Sequence, residues 1–122
     1  MRDIKFRTYV RFLREMHEVR EMIFDKGTVM INAYQYGLDK DDAPVMQYTG
    51  LKDVNGVEIY EGDLVKKDDD KFVKAGVVSF IHGCWMVASK SGEQYFNLHW
   101  HLSQVEVIGN IYQHTELMEG DK

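Results

Sequence analysis

The sequence predicts a mainly β protein of one domain: a small antiparallel barrel of SH3-like character, preceded by N-terminal strands or a hairpin, with at most short helices. Three observations carry this expectation. Short stretches with a period of two, or rich in β-branched and aromatic residues, recur along all 122 residues. A turn signal closes most of them, and close spacing of that kind belongs to small sandwiches and barrels. Residues 47–65 read as two tight turns joined by a short strand and leading into a longer one.

Ile4, Phe6, Thr8 and Val10 alternate with Lys5, Arg7, Tyr9 and Arg11, the pattern of a half-buried strand. The pattern then blurs. Phe12, Leu13, Met16, Val19 and Ile23 also fit a helical stripe, with Arg14, Glu15, Glu18, Arg20 and Glu21 on its polar side. Strand is favoured, because Asp25-Lys26-Gly27 then forms a hairpin turn joining residues 21–24 to residues 28–33. Residues 34–45, polar and holding Gly37, Pro44 and the acidic group Asp39, Asp41 and Asp42, read as a surface loop. An acidic group in a loop is ordinarily just solvated; the sharper alternative is a patch facing a partner.

Asn55-Gly56 is the strongest short hairpin signal, since both residues tolerate the positive φ of a two-residue type I′ turn. Glu61-Gly62-Asp63 is a second turn, with Gly62 supplying a backbone angle that a Cβ disfavours and the Asp63 carboxylate in reach of nearby amides. The charged run at residues 66–71 reads as a loop or a strand end. Residues 72–81 read as a strand with a bulge or bend at Gly76. His82-Gly83 turns it back into residues 84–89, and Ser91-Gly92 turns again into residues 93–98, giving a three-stranded meander. Residues 98–104 suit one helical turn. Val105, Val107 and Ile108 begin the last strand, which Gly109 interrupts and Ile111 and Tyr112 continue. Thr115 would cap a final short helix over residues 115–118, with fraying beyond it.

Composition narrows the function classes. Fifteen Lys and Arg stand against 20 Asp and Glu, a formal charge of -5. That disfavours non-specific binding to nucleic acid or acidic membranes, where a basic face supplies most of the affinity. The single cysteine, Cys84, has no internal disulfide partner, and no signal-peptide core and no apolar run near ~18 residues is present, so a cytoplasmic chain without a membrane role is expected.

Candidate chemistry is sparse. His99 and His101 would share a face on a strand, and His82 and Cys84 have the same spacing, so the four could in principle form a tetrahedral zinc site. The spacing matches no usual paired-ligand motif, and the bland alternative is surface or cleft histidines with a small buried thiol. Cys84 beside Trp85 in an apolar strand reads as inert core rather than a nucleophile, which needs an electropositive and partly exposed setting. Asp53-Val54-Asn55-Gly56 mimics part of a calcium loop but lacks the remaining ligands, so a hairpin explains it better. Nothing resembles a phosphate-binding loop or a dinucleotide fingerprint, and no catalytic residue, cofactor or metal is expected. Lys5, Arg7, Tyr9, Arg11 and Arg14 could form a basic face with an aromatic in it, the equipment with which small β-barrels bind single strands; the alternative is an ordinary polar strand face.

Four stretches resemble the YopX-like proteins of phages and prophages. They are Arg2-Asp3-Ile4-Lys5-Phe6-Arg7; the run from Met46-Gln47-Tyr48-Thr49-Gly50-Leu51-Lys52-Asp53 through Asn55-Gly56 to Glu58-Ile59-Tyr60-Glu61-Gly62-Asp63-Leu64-Val65; Gly76-Val77-Val78; and Glu106-Val107-Ile108-Gly109-Asn110-Ile111-Tyr112 with Glu116-Leu117. They follow the family order over nearly the whole chain. The departures are at Tyr9-Val10-Arg11-Phe12-Leu13-Arg14, where the family usually carries a Trp-Asp pair, and in residues 72–102, which vary in the family. The resemblance implies a compact, mainly β, barrel-like core encoded by mobile elements. It brings no catalytic or cofactor residues, and the family's biochemical role is unassigned. The combined expectation is a phage or prophage accessory protein, not an enzyme, that binds itself or a host or phage protein. Single-stranded nucleic-acid binding is the alternative. If specificity exists, residues 9–20 and 66–101 are where it is expected.

Overall fold

The computed structural model describes residues 4–23, 27–31, 34–39, 41–67, 75–89 and 94–114. Their regular structure is β except for one short 3-10 helix, His99–Gln104. The chain divides into two compact units, Met1–Tyr48 and Thr49–Lys122.

In the first unit, β1 (Phe6–Val10), β2 (Glu15–Ile23), β3 (Thr28–Ile31), β4 (Tyr34–Asp39) and the beginning of β5 (Val45–Lys52) lie antiparallel in the order β4-β3-β2-β1-β5. The strand reading of β2 holds. The Arg14 N–H donates to the Val10 carbonyl at 2.8 Å and Arg14 takes φ 56, which reverses the chain and sets Val10 opposite Glu15. A continuous helix through Arg14 has no place for that angle. The β2–β3 hairpin is present, with Ile23 opposite Thr28 and Gly27 at φ 64; Asp25 and Lys26 of the expected turn lie outside the described residues. Val10, Val29, Ile31, Leu38 and Ala43 form the core, with Val19 and Val45 packed on it. Thr8, fully buried among them, donates its hydroxyl to the Pro44 carbonyl at 2.8 Å, so its burial leaves no donor unpaired.

The loop expected over residues 34–45 is corrected in its first half, where β4 pairs with β3. Gly37 is not a loop glycine. It sits inside a strand because a Cβ there would collide with Thr28 Cγ2.

In the second unit, the end of β5 pairs with β6 (Glu58–Tyr60) through the turn between them, and β7 (Asp63–Lys67), β8 (Gly76–Ile81), β9 (Cys84–Ala88), β10 (Gln94–Asn97) and β11 (Val105–Asn110) make an antiparallel sheet in the order β10-β9-β8-β7-β11. The meander β8-β9-β10 is as expected. Among the described residues the sheet is open, with β10 and β11 at its edges, so the antiparallel core is not a closed barrel. Ile59, Val65, Val78, Val87, Leu98 and Val105 form its core; Leu51, Trp85, Phe96, Leu102 and Val107 pack around them.

Three local expectations change. Asn55-Gly56 is not a type I′ turn, because Gly56 takes φ 81 while Asn55 stays at negative φ. The loop has three residues: the Gly56 N–H donates to the Asp53 carbonyl at 3.0 Å and the Asp53 N–H to the Val57 carbonyl at 2.8 Å, which closes a turn followed by a left-handed glycine. The two-residue turn with positive φ at both positions lies instead at His82-Gly83, φ 52 and 79, between the paired Ile81 and Cys84. Gly76 is no bulge; it opens β8 opposite Val65, in register with the next pair. At the last strand the register does shift between Val107 and Gly109, but β11 stops at Asn110 and Ile111 and Tyr112 lie in a turn. Asn110 Oδ1 accepts the N–H groups of Tyr112 and Gln113 at 3.0 and 2.9 Å, diverting the backbone from the ladder. The strand expected over residues 72–74, the Ser91-Gly92 turn and the capped helix over residues 115–118 lie outside the described residues.

Candidate binding surface

Two carboxylates hold the stretch at residues 47–65. Asp53, 6% exposed, accepts three backbone N–H groups: Asn55 at 2.8 Å and Val57 at 2.9 Å on Oδ1, and Val107 at 2.9 Å on Oδ2. The Val54 N–H reaches the Val105 carbonyl at 3.0 Å, so this turn is bonded along the outer edge of β11 and covers an edge strand that would otherwise invite pairing. Asp63, 1% exposed, accepts the Tyr60 N–H at 2.8 Å across the turn that Gly62 makes at φ 86. The Gly62 backbone in turn donates to the Val78 carbonyl and accepts the Ile111 N–H, at 2.9 and 3.0 Å. The role expected of Asp63 is therefore seen, and the larger role of Asp53 was not anticipated. The calcium-like spacing at Asp53 is accounted for, since its oxygens are spent on amides.

The histidine and cysteine candidates are scattered over different local structures. His82 is the first residue of the β8–β9 turn and Cys84 the first of β9, so the turn separates them. His99 and His101 lie in the 3-10 helix, where a spacing of two does not share a face as it does on a strand. His101 packs edge-on against Phe96, with ring centroids 5.1 Å apart. Among the described residues no group of three or more His, Cys, Asp or Glu could hold a metal ion. The thiol expected to be buried is exposed. Cys84 is directly followed by Trp85, so it points to the opposite face of β9 from the core-packed Trp85.

The basic residues at the start of the chain are interleaved with acidic and apolar neighbours. Arg7 stands opposite Glu18 on β2 and Met46 on β5. The Lys5 ammonium lies 5.1 Å from the centre of the Tyr48 ring. Arg11 Nε donates to the Asp41 carbonyl at 3.0 Å, which brings the acidic loop beside it.

The largest exposed apolar side chains of the second unit, Phe80 and Trp100, fall within the residues expected to carry specificity. Phe80 and Trp85 are paired across β8 and β9, and their rings meet edge-on at 5.0 Å and 66°. They lie two residues beyond Val78 and Val87, hence on the core-facing side of the hairpin. Past those fully buried valines the cover ends: Phe80 is 58% exposed. The Leu98 N–H donates to the Trp85 carbonyl at 3.0 Å, and two residues later Trp100 is 79% exposed.

Comparison with known proteins bears on the whole chain. The family description YopX protein matches residues 5–119. The chain belongs to the YopX family. Among solved structures, this YopX-family chain is similar to protein EF1440 from Enterococcus faecalis, with 23% identity, a TM-score of 0.71, and 97% of this chain and 99% of that one covered. It is also similar to protein yopX from Bacillus subtilis, with 19% identity, a TM-score of 0.59, and 93% and 96% covered. At these identities the likeness carries the fold alone. A search of curated proteins gave no match. Among the described residues, the stretches that carry the family resemblance contain four of the five buried polar residues, Thr49, Asp53, Asp63 and Asn110, and each is hydrogen-bonded to backbone. In these stretches the buried polar side chains thus serve the framework. Among the described residues, no helix is long and apolar enough to cross a membrane.

Proposed function

We propose that this YopX-family chain is an accessory protein of a phage or prophage that works in the host cytoplasm by binding protein, to a second copy of itself or to a host or phage protein, and that it is not an enzyme. The observation that carries the reading is the exposed apolar end of the β8–β9 hairpin, where Phe80, 58% exposed and edge-on to the half-buried Trp85, continues the core face beyond its cover. A large aromatic group left in water at the edge of a core is a usual anchor of protein interfaces. The formal charge of -5 and the acidic loop beside Arg11 weigh against the alternative of single-stranded nucleic acid.

Affinity capture from bacterial cells with the wild-type chain and with Phe80→Ser tests it. A protein retained by the wild type and lost by the equally stable variant supports the reading. Equal retention by both, or recovered nucleic acid whose binding falls steeply with salt, contradicts it.

A further inference from the structure

The turn between β1 and β2 belongs to neither the framework nor the β8–β9 hairpin. Its apolar residues are turned outward, Phe12 at 58% exposure and Leu13 at 37%. Arg14, exposed at its end, is held in the left-handed region at φ 56, a conformation that persists only where the surroundings enforce it. The strand order places β2 on one side of β1 and β5 on the other. Arg14 therefore lies on the β2 flank of the turn, and the loop leading into β5 lies on the opposite flank. The described residues of that loop are tied together by hydrogen bonds. The Asp39 carboxylate accepts the Asp41 N–H at 2.8 Å, and the Asp39 carbonyl accepts those of Asp42 and Ala43 at 3.0 Å. It is bonded to the turn through the Arg11 N–H and the Asp42 carbonyl, at 3.0 Å. The Asp41 and Asp42 side chains are exposed. Among the described residues, Glu15 meets His17 Nε2 at 2.8 Å, and the Arg11 side chain, still cationic, donates its Nε–H to the Asp41 carbonyl at 3.0 Å.

Among the described residues, an apolar centre with the exposed Arg14 on one flank and the exposed Asp41 and Asp42, beside Arg11, on the other is complementary to itself under a two-fold rotation, which carries each flank onto the opposite one. We infer that this end of the first unit is a contact between two copies of the chain, in which Phe12 and Leu13 meet their counterparts about a two-fold axis and Arg14 of each copy faces Asp41 and Asp42 of the other. The inference rests on the self-association arm of the proposed function. So small a patch buries much less than the ~800 Å² per partner of a stable interface, so the dimer is weak and forms at high protein concentration.

Sedimentation equilibrium of the full chain over a wide concentration range tests it, using the wild type, Arg14→Glu, the double variant Asp41→Lys/Asp42→Lys, and an equimolar mixture of the two variants. The expected result is a wild-type dimer, weakening by about tenfold or more in each variant alone because like charges then face each other, and restoration in the mixture. Restoration also shows that both variants are folded. A wild-type dimer that neither variant weakens, or variants that the mixture does not rescue, overturns this contact while self-association through another surface stands. A wild type that stays monomeric throughout overturns the contact and self-association together, and leaves the Phe80 capture to decide whether the chain binds another protein.

Discussion

Replacing Asp53 should unfold the second unit more readily, in an order fixed by its hydrogen bonds. The carboxylate accepts three backbone N–H groups, two on Oδ1 and one on Oδ2, at 2.8 to 2.9 Å. A bond from a backbone amide to a charged acceptor contributes roughly 1.5 kcal/mol net or more, so three bonds sum to about 4–5 kcal/mol. Water reaching the half-exposed ends of the turn returns part of this, and about 3 kcal/mol is expected for Asp53→Ala. In Asp53→Asn the amide oxygen still accepts from Asn55 and Val57, but an NH2 group now faces the Val107 N–H. One bond is lost and two donors oppose each other, for about 1.5–2 kcal/mol. Against a total stability of order 5–15 kcal/mol both losses are large. Urea denaturation followed by tryptophan fluorescence measures them in the right place, because Trp85 and Trp100 both belong to the second unit. Amide exchange at Val107 should accelerate in both variants. If Asp53→Asn lies within about 0.5 kcal/mol of wild type, or if the two variants are equally destabilised, the assignment of the third bond is wrong.

Other outcomes follow from the same geometry. His82→Asn should stabilise by a few tenths to about 1 kcal/mol in thermal melts, because asparagine adopts φ 52 in a primed turn at lower cost than histidine. Gly109→Ala should cost more than Gly56→Ala: the first places a Cβ 2.6 Å from the His114 ring, which accepts the Asn110 N–H, whereas the second meets nothing and bears only the backbone cost of about 1–2 kcal/mol. Leu98→Ala, at a fully buried core position, should cost about 2–5 kcal/mol by urea denaturation. The Cys84 thiol should react with a disulfide reagent in the native protein nearly as fast as in urea, since it is exposed; strong native protection would contradict that placement.

Much of the fold was legible because the strands bury one face and so alternate visibly, as in Phe6 to Val10, or end at glycine turns such as His82-Gly83. What the sequence hid depended on particular side-chain contacts, local or distant, that residue propensities do not encode. The Asn55-Gly56 pair suggested a two-residue turn from its own propensities, yet Asp53 gathers amides from both sides of the turn and from β11, and a three-residue loop results. Strand β4 was obscured by Gly37, whose lack of a side chain serves the packing of Thr28 rather than a bend. The end of β11 was set by the Asn110 side chain, which competes for the amides of the two residues that seemed to continue the strand. For the candidate surface, the region was legible and its geometry was not. Residues 66–101 were singled out, but only the pairing of Phe80 with Trp85 shows that the core face runs out into solvent there.

The central claim is that the exposed aromatic hairpin engages a partner. Hydroxyl-radical footprinting of the chain inside bacterial cells, compared with the purified chain, tests it most directly. Lower labelling of Phe80 and Trp100 in cells, with Tyr9 unchanged, is the predicted result. Phe80 and Trp100 labelled as fully in cells as in isolation would contradict the claim, and protection of Tyr9 that nuclease removes would point to nucleic acid instead.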